Sequence, residues 1–191
     1  MRRILAMLAA LVLMFDVAAC GGGSSDSAEP ASPQGHNDAD VEFATDMIQH
    51  HSQALEMVNL AIGRDLRPEV ASLADDIMAA QTPEVTSMTT WLEEWDEDIP
   101  ETGMDHSGHG TSDMKMPGMA SMEDMSSLES ASDTEFEQMY LTMMIEHHNG
   151  AIEMAESELA DGQNAEAKKL AQQVVDGQTQ EIDRMERLLA G

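Results

Sequence analysis

The chain has 191 residues, of which 37 are Asp or Glu and 9 are Lys or Arg, so its formal net charge is −28 at pH 7. Such an acidic surface repels nucleic acid and anionic lipid, which excludes DNA binding, and much of the charge is explained as a coat that serves solubility. The length suits one domain with a real core, and a single cysteine excludes a disulfide within the chain.

The N-terminus has the pattern of an export signal. Arg2 and Arg3 precede an apolar run over 4–15 that is too short to cross a bilayer, and small residues follow it. Because Cys20 directly follows Val-Ala-Ala, this end resembles a lipobox, which implies cleavage before Cys20 and a lipid on its thiol. The alternative is an ordinary signal peptide with an unrelated cysteine. We predict a signal peptide over 1–19, a lipidated flexible tether over 20–37, and a protein anchored to the outer face of the cell membrane or in the periplasm.

The rest of the chain contains an internal repeat. Met47-Ile48-x-His50-His51-x-x-Ala54-Leu55-Glu56-Met57 returns as Met144-Ile145-x-His147-His148-x-x-Ala151-Ile152-Glu153-Met154, displaced by 97 positions. The register holds further on, where Gln81, Glu84 and Met88 correspond to Gln178, Glu181 and Met185. The folded part is therefore a duplicated unit.

Helical periodicity predicts four long helices, over about 40–62, 67–95, 133–160 and 165–189. Pro83 should kink the second helix or split it near Gln81, because proline removes a backbone donor. No alternating stretch indicates a strand. Each half is an amphipathic hairpin too small to bury its apolar face alone, so we predict an all-α fold over 38–191: an antiparallel four-helix bundle made of hairpin 38–96 and hairpin 133–191.

The repeated motif is rich in side chains that bind metals. Thioether and imidazole suit Cu(I), and imidazole also suits Cu(II) and Zn. If the halves pack about a pseudo-twofold axis, the two His doublets face each other, and Met88 and Met185 could complete a mixed shell. Alternatives are that the methionines fill the core, that the histidines are hydrogen-bonded core residues, or that they hold heme or another cofactor. Because ligation needs neutral imidazole, we expect affinity to fall as pH drops through the ordinary His range.

The segment between the hairpins, 97–132, shows no periodicity and combines Gly, Ser, Thr and Asp with an unusual number of potential ligands. These are Met104, His106, His109, Met114, Met116, Met119, Met122 and Met125. We predict a flexible strand that wraps soft ions. The alternatives are an oxidation sink or an amphipathic segment that docks on the bundle.

The two copies of the motif, led by Phe43 and Tyr140, closely resemble the domain-of-unknown-function 305 family, whose copper-resistance members are called CopM. This resemblance implies a ferritin-like four-helix bundle, exported, that binds Cu(I), Cu(II) or Ag(I) through His and Met. Carried over by position, the ligands are Met47, His50, His51, Met57, Met144, His147, His148 and Met154. Met88 and Met185 extend this set through the internal repeat.

Together these features predict an extracytoplasmic copper-binding protein, not an enzyme, that sequesters copper or passes it to a transfer protein. Di-iron chemistry is disfavoured because no Glu stands three residues before any His of the doublets. Two other classes stay open. One is a copper-dependent redox enzyme, and the other is an acidic interaction module whose histidines serve only the core.

Overall fold

The computed structural model describes residues 35–101 and 116–191, which contain five α-helices and no strands. The helices are α1 (Asp38–Ala61), α2 (Pro68–Trp95), α3 (Met122–Ser130), α4 (Asp133–Asp161) and α5 (Ala165–Ala190). The predicted all-α class is confirmed, and the four long helices begin and end within two residues of their predicted positions. The signal peptide, Cys20 and four predicted ligands, Met104, His106, His109 and Met114, lie outside the described residues.

Local sequence fixes where the long helices begin. The Asn37 side chain accepts hydrogen bonds from the N–H groups of Ala39 and Asp40, and the Asp40 carboxylate accepts one from the Asn37 N–H at 2.7 Å. This capping box satisfies donors that the first turn of α1 leaves free. Pro68 opens α2, where its missing N–H costs nothing.

α2 continues without a break through Pro83, so the predicted split is wrong. Buried residues on both sides of the proline, Ile77 and Gln81 before it and Met88 after it, lie against the rest of the bundle. Tertiary packing of this face outweighs the loss of one backbone hydrogen bond. The helix ends at Asp96, which has left-handed backbone angles (φ 61°).

α1 and α4 lie side by side and antiparallel. At one end the Asn37 amide donates to the carbonyl of Asp161 at 2.9 Å, and at the other Arg64 pairs with Asp133 at 3.3 Å. α2 covers α1, and α5 covers α4, so the two hairpins form the predicted bundle. Among the described residues, none of the helices is both long and apolar enough to cross a membrane.

The bundle core consists of two apolar clusters separated by a polar layer. The first contains Ala54, Leu73, Tyr140 and Met185, and the second contains Phe43, Met88, Ala151 and Val174. In α1 and α4 alike, the His doublet stands where the helix passes from one cluster to the other. The four histidines of the doublets, all buried, therefore lie between the clusters, and this polar layer is called the His layer below.

Two segments outside the four long helices also contact the bundle. Just before α1, His36 stacks on Trp95 with ring centroids 4.5 Å apart, and the Asn164 amide donates to the carbonyl of Gly35. The segment 97–132 is also not without structure throughout, because Met122–Ser130 is helical. Met125 and Leu128 of this helix are buried in the first cluster, as the docking alternative proposed.

Residues 116–120, which precede α3, are called the strap below. Gln53 of α1 binds Ala120 of the strap twice, donating from its amide at 2.9 Å and accepting at 2.8 Å. On α4, a Cβ added to Gly150 would lie 2.0 Å from the carbonyl oxygen of Pro117. The strap therefore lies across α1 and α4 at a distance that only glycine at position 150 permits.

Candidate metal centre

The two His doublets meet at the middle of the bundle. The rings of His50 and His147 lie with their centroids 3.7 Å apart and their planes at 38°. All four His side chains are at most 1% exposed. The repeat-equivalent histidines thus face each other, as the pseudo-twofold arrangement predicts.

A carboxylate holds the second histidine of each doublet. Nε2 of His51 donates to Glu84 of α2 at 2.7 Å, and Nε2 of His148 donates to Glu181 of α5 at 2.7 Å. A neutral imidazole that carries its proton on Nε2 presents a lone pair at Nδ1. Both Nδ1 atoms are buried and have no hydrogen-bond partner. This carboxylate–imidazole arrangement is the one that orients histidine ligands in metal sites.

His50, the first histidine of its doublet, is held by the strap. Its Nε2 donates to the carbonyl of Pro117 at 2.9 Å, and its Nδ1 is buried without a partner. Burial lowers the pKa of His50 to about 3, although the hydrogen bond to Pro117 opposes that shift. His50 is therefore neutral over the whole ordinary range of His titration.

His147, the repeat equivalent of His50, has neither ring nitrogen hydrogen-bonded. Burial, reinforced by the neighbouring His50 and His148, holds its pKa well below the usual value. The lowered pKa of His50 and of His147 favours the neutral imidazole, which is the form that can bind a metal.

Gln81 and Gln178 add a second repeat-related pair to the polar layer. Both are buried, and neither the oxygen nor the nitrogen of either amide has a partner. Each lies three residues before the glutamate that holds a histidine, on the same face of its helix. Buried amides without partners are costly, so these groups indicate a layer that a bound ligand would complete.

The predicted methionine ligands of the motif divide between the two sides of this layer. Met47, Met88 and the half-buried Met154 belong to the second apolar cluster, whereas Met57, Met144 and Met185 belong to the first. Among the described residues, no three His, Cys, Asp or Glu side chains converge into a metal cage. The histidines of the layer and the methionines on its two sides offer imidazole and thioether, a donor set that favours soft ions over Mg²⁺ or Ca²⁺.

The methionines predicted for the linker fall into three different environments. Met116 and Met119 are half-buried in the strap, Met122 is 65% exposed, and Met125 is 3% exposed in the core. The methionines in the described part of the segment therefore do not form one continuous row of metal ligands. Met125 contributes to packing, and only the strap methionines lie beside the His layer.

Sequence reasoning missed the residues that support the histidines. The sequence does contain a signal for these residues, because identical residue types stand 97 positions apart in both pairs, whereas most surface residues differ between the two repeats. The pairs are Gln81 with Gln178 and Glu84 with Glu181. Pro117 carries no such signal, since its contact with His50 joins residues 67 positions apart.

The fold and this layer define a class: duplicated all-α bundles with a buried histidine and methionine centre. The chain belongs to the DUF305 family, because the model of this domain of unknown function matches residues 40–189. A search of curated proteins finds no match.

Solved structures agree with this assignment. A DUF305 fragment from Deinococcus radiodurans is 32% identical, covers 85% of this chain and 99% of its own, and has a TM-score of 0.69. A DUF305 protein from Streptomyces coelicolor, named as a candidate secreted protein, is 36% identical with the same TM-score over 80% of this chain and 92% of its own. CopM in its Cu(II)-bound form is 27% identical, with a TM-score of 0.65, over 79% of this chain and 95% of its own. CopM has also been solved with Cu(I) and with silver.

Proposed function

We propose that the protein is an exported copper-binding protein that holds copper, or silver, at the His layer and either sequesters the ion or passes it on. The observation that carries this proposal is the set of buried Nδ1 atoms without partners on His50, His51, His147 and His148. Orphaned acceptors at the centre of a bundle are costly unless a ligand satisfies them. Binding of copper and silver by the related CopM supports the same conclusion.

The position of the layer favours binding over turnover. The four histidines are buried, and the strap closes over His50. A catalytic copper needs an open coordination position that a substrate can reach. We therefore propose that the ion itself is the cargo.

Export and anchoring complete the proposed role. The N-terminal pattern supports a lipid on Cys20, and the name of the Streptomyces relative supports export. The Met and His residues of 104–114 are proposed as additional capture ligands for the same ions. Replacing these four side chains with Ser is expected to lower the number of ions bound per chain.

Anaerobic titration of the mature chain with Cu(I), in competition with a chromogenic chelator, tests the central proposal. The double variant His50→Gln/His147→Gln removes two imidazoles and keeps polar side chains of similar size. It is expected to lose the tight phase of binding. His36→Gln is the matched control, because His36 lies outside the layer and stacks on Trp95.

Circular dichroism would establish that each variant is folded. Unchanged affinity and stoichiometry in a folded double variant would refute the proposed centre. A loss of binding equal to that of the double variant in His36→Gln would show that the layer is not the main site.

A further inference from the structure

A cavity of about 380 Å³ lies between the strap and α4. Three methionines line it: Met116 and Met119 from the strap and Met143 from α4. Asp124 and Glu146 complete the acidic part of its wall. Met143 is not part of the repeated motif, and its repeat equivalent, Asp46, carries no thioether.

The walls of this cavity combine thioether and carboxylate side chains. All three methionines are half-buried; Met143 also packs against the first apolar cluster, whereas Met116 and Met119 belong to the strap. Thioethers bind soft monovalent ions and do not titrate, so protons do not compete with such ions for them. The two carboxylates raise the local concentration of cations without offering the oxygen cage that Ca²⁺ or Mg²⁺ requires.

The cavity is separated from the His layer only by the strap. Pro117 lines the cavity and accepts the hydrogen bond from His50 at 2.9 Å on its carbonyl oxygen. Gly118, which also lines it, lies against the backbone of His147, where an added Cβ would be 3.0 Å from Cα. Pro117 and Gly118 therefore border both the cavity and the two facing histidines.

We propose that this cavity is a second, separate metal site, in which Met116, Met119 and Met143 hold a soft monovalent ion, Cu(I) or Ag(I). The site serves as the entry point from which the ion passes beneath the strap to His50 and His147, with no change of oxidation state. Binding in the cavity stands on its own geometry, whereas the onward step rests on the proposed function. Cu(II) is a harder ion and is not expected to bind to the thioethers of the cavity.

Titration of the mature chain with Ag(I), read by native mass spectrometry and by the methyl resonances of ¹³C-labelled methionine, tests this proposal. The variant Met116→Leu/Met119→Leu/Met143→Leu keeps side-chain volume and removes all three thioethers. Met139→Leu is the matched control, because Met139 lies one turn before Met143 on α4 and is also half-buried.

The triple variant is expected to bind one Ag(I) fewer than the control. In the wild-type chain, the Met143 methyl resonance should shift at lower Ag(I) than the methyl resonances of Met47 and Met144, which belong to the clusters on the two sides of the His layer. His50→Gln/His147→Gln should keep the ion that the triple variant loses. A triple variant that binds as many ions as Met139→Leu, or a Met143 resonance that does not respond to Ag(I), would overturn the entry site.

The two proposals can fail separately. If His50→Gln/His147→Gln retains all its ions while the triple variant loses one, the proposal of a cavity site is supported and the proposal of a His centre is refuted. If the histidine variant loses its ions and the triple variant keeps the full count, the His centre holds and the entry site is wrong.

Discussion

At the scale of single residues, the His layer depends on the two carboxylates behind it. Glu84 and Glu181 accept from Nε2 of His51 and His148, which directs Nδ1 of each ring into the layer. Their negative charge also makes the imidazoles better donors to a cation. Neither glutamate needs to touch the ion to influence its affinity.

Glu84→Gln keeps the size of the side chain and an acceptor for His51 but removes the charge. We expect the dissociation constant for Cu(I) to rise about tenfold, the lower end of the range for residues that support metal ligands. Competition titration with a chelator measures this change. Glu94→Gln, on an exposed part of α2, is the control and should leave affinity unchanged. Equal affinities of the two variants would mean that the carboxylate is only structural.

Glu158, a buried carboxyl of α4, makes the stability of the fold depend on pH. Glu158 is 1% exposed beside Asp40, whose carboxylate accepts from the backbone N–H groups of Gln163 and Asn164. Burial first, and then the hydrogen bond and charge of Asp40, raise the pKa of Glu158 to about 8. The folded state therefore binds the Glu158 proton more tightly than the unfolded state does.

A pKa raised on folding means that the stability linked to Glu158 is fully present below about pH 4.5 and is lost as pH rises through about 8. Glu158→Gln carries no titrating proton, so its melting temperature should fall less than that of the wild-type chain between pH 6 and pH 9. Thermal unfolding followed by circular dichroism measures this. Glu156→Gln, exposed on the same helix, should keep the wild-type profile. Parallel pH profiles for wild type and Glu158→Gln would contradict the assignment.

At the scale of elements, the strap requires a close approach that only one position of α4 allows. Gly150→Ala would place a methyl group 2.0 Å from the carbonyl oxygen of Pro117, so the strap must shift away from α4. We expect a loss of about 1–3 kcal/mol in the free energy of unfolding, the usual cost of overpacking. Urea denaturation measures the change.

Gly177→Ala is the matched control for Gly150→Ala. It also lies within a helix, α5, but an added Cβ there meets no atom within 4 Å. Because alanine favours the helix over glycine, this variant should gain about 0.5–1 kcal/mol. Opposite signs for the two variants are the expected result. A stabilised Gly150→Ala would show that the strap does not press on α4.

The sequence predicted the four long helices because their apolar residues repeat at the helical period over many turns. It did not predict α3 or the strap, since their positions depend on contacts with distant parts of the chain. Gln53 and Ala120 are 67 residues apart, and no local pattern joins them. The sequence also does not show the packing of Gln81 and Met88, which holds α2 as one helix through Pro83.

The candidate centre was predicted to a similar extent. The doublets and motif methionines were found because His and Met recur with one offset. The supporting glutamates shared that offset, but their role is visible only once the helices lie side by side. The pKa of His50 could not be inferred either, because burial determines it and burial belongs to the fold.

At the scale of the whole molecule, the strap makes a nearly symmetric bundle asymmetric. Gln53 and Gly150 occupy equivalent positions of the two repeats, yet one holds the strap and the other makes room for it. As a result His50 has its Nε2 bound by Pro117, whereas both nitrogens of His147 lack a partner. Duplication thus provides two doublets, and the connection between the hairpins gives their first histidines different surroundings.

The net charge of −28 also acts on the molecule as a whole. In the folded state the carboxylates lie closer together than in the unfolded chain, so their mutual repulsion favours unfolding. Salt shortens the range of that repulsion to about 10 Å at 0.1 M. The folded state should therefore gain stability with ionic strength.

We expect the melting temperature of the metal-free chain to rise by about 3 °C or more between 10 mM and 500 mM KCl, which corresponds to about 1 kcal/mol for a chain of this size. Choline chloride should act equally, because screening does not depend on the identity of the cation. The variant Asp75→Asn/Glu93→Gln/Glu186→Gln, which neutralises three exposed carboxylates, should start from a higher melting temperature and respond less to salt. A rise with KCl but not with choline chloride would instead indicate a specific cation site, and no rise with either would show that the acidic surface does not limit stability.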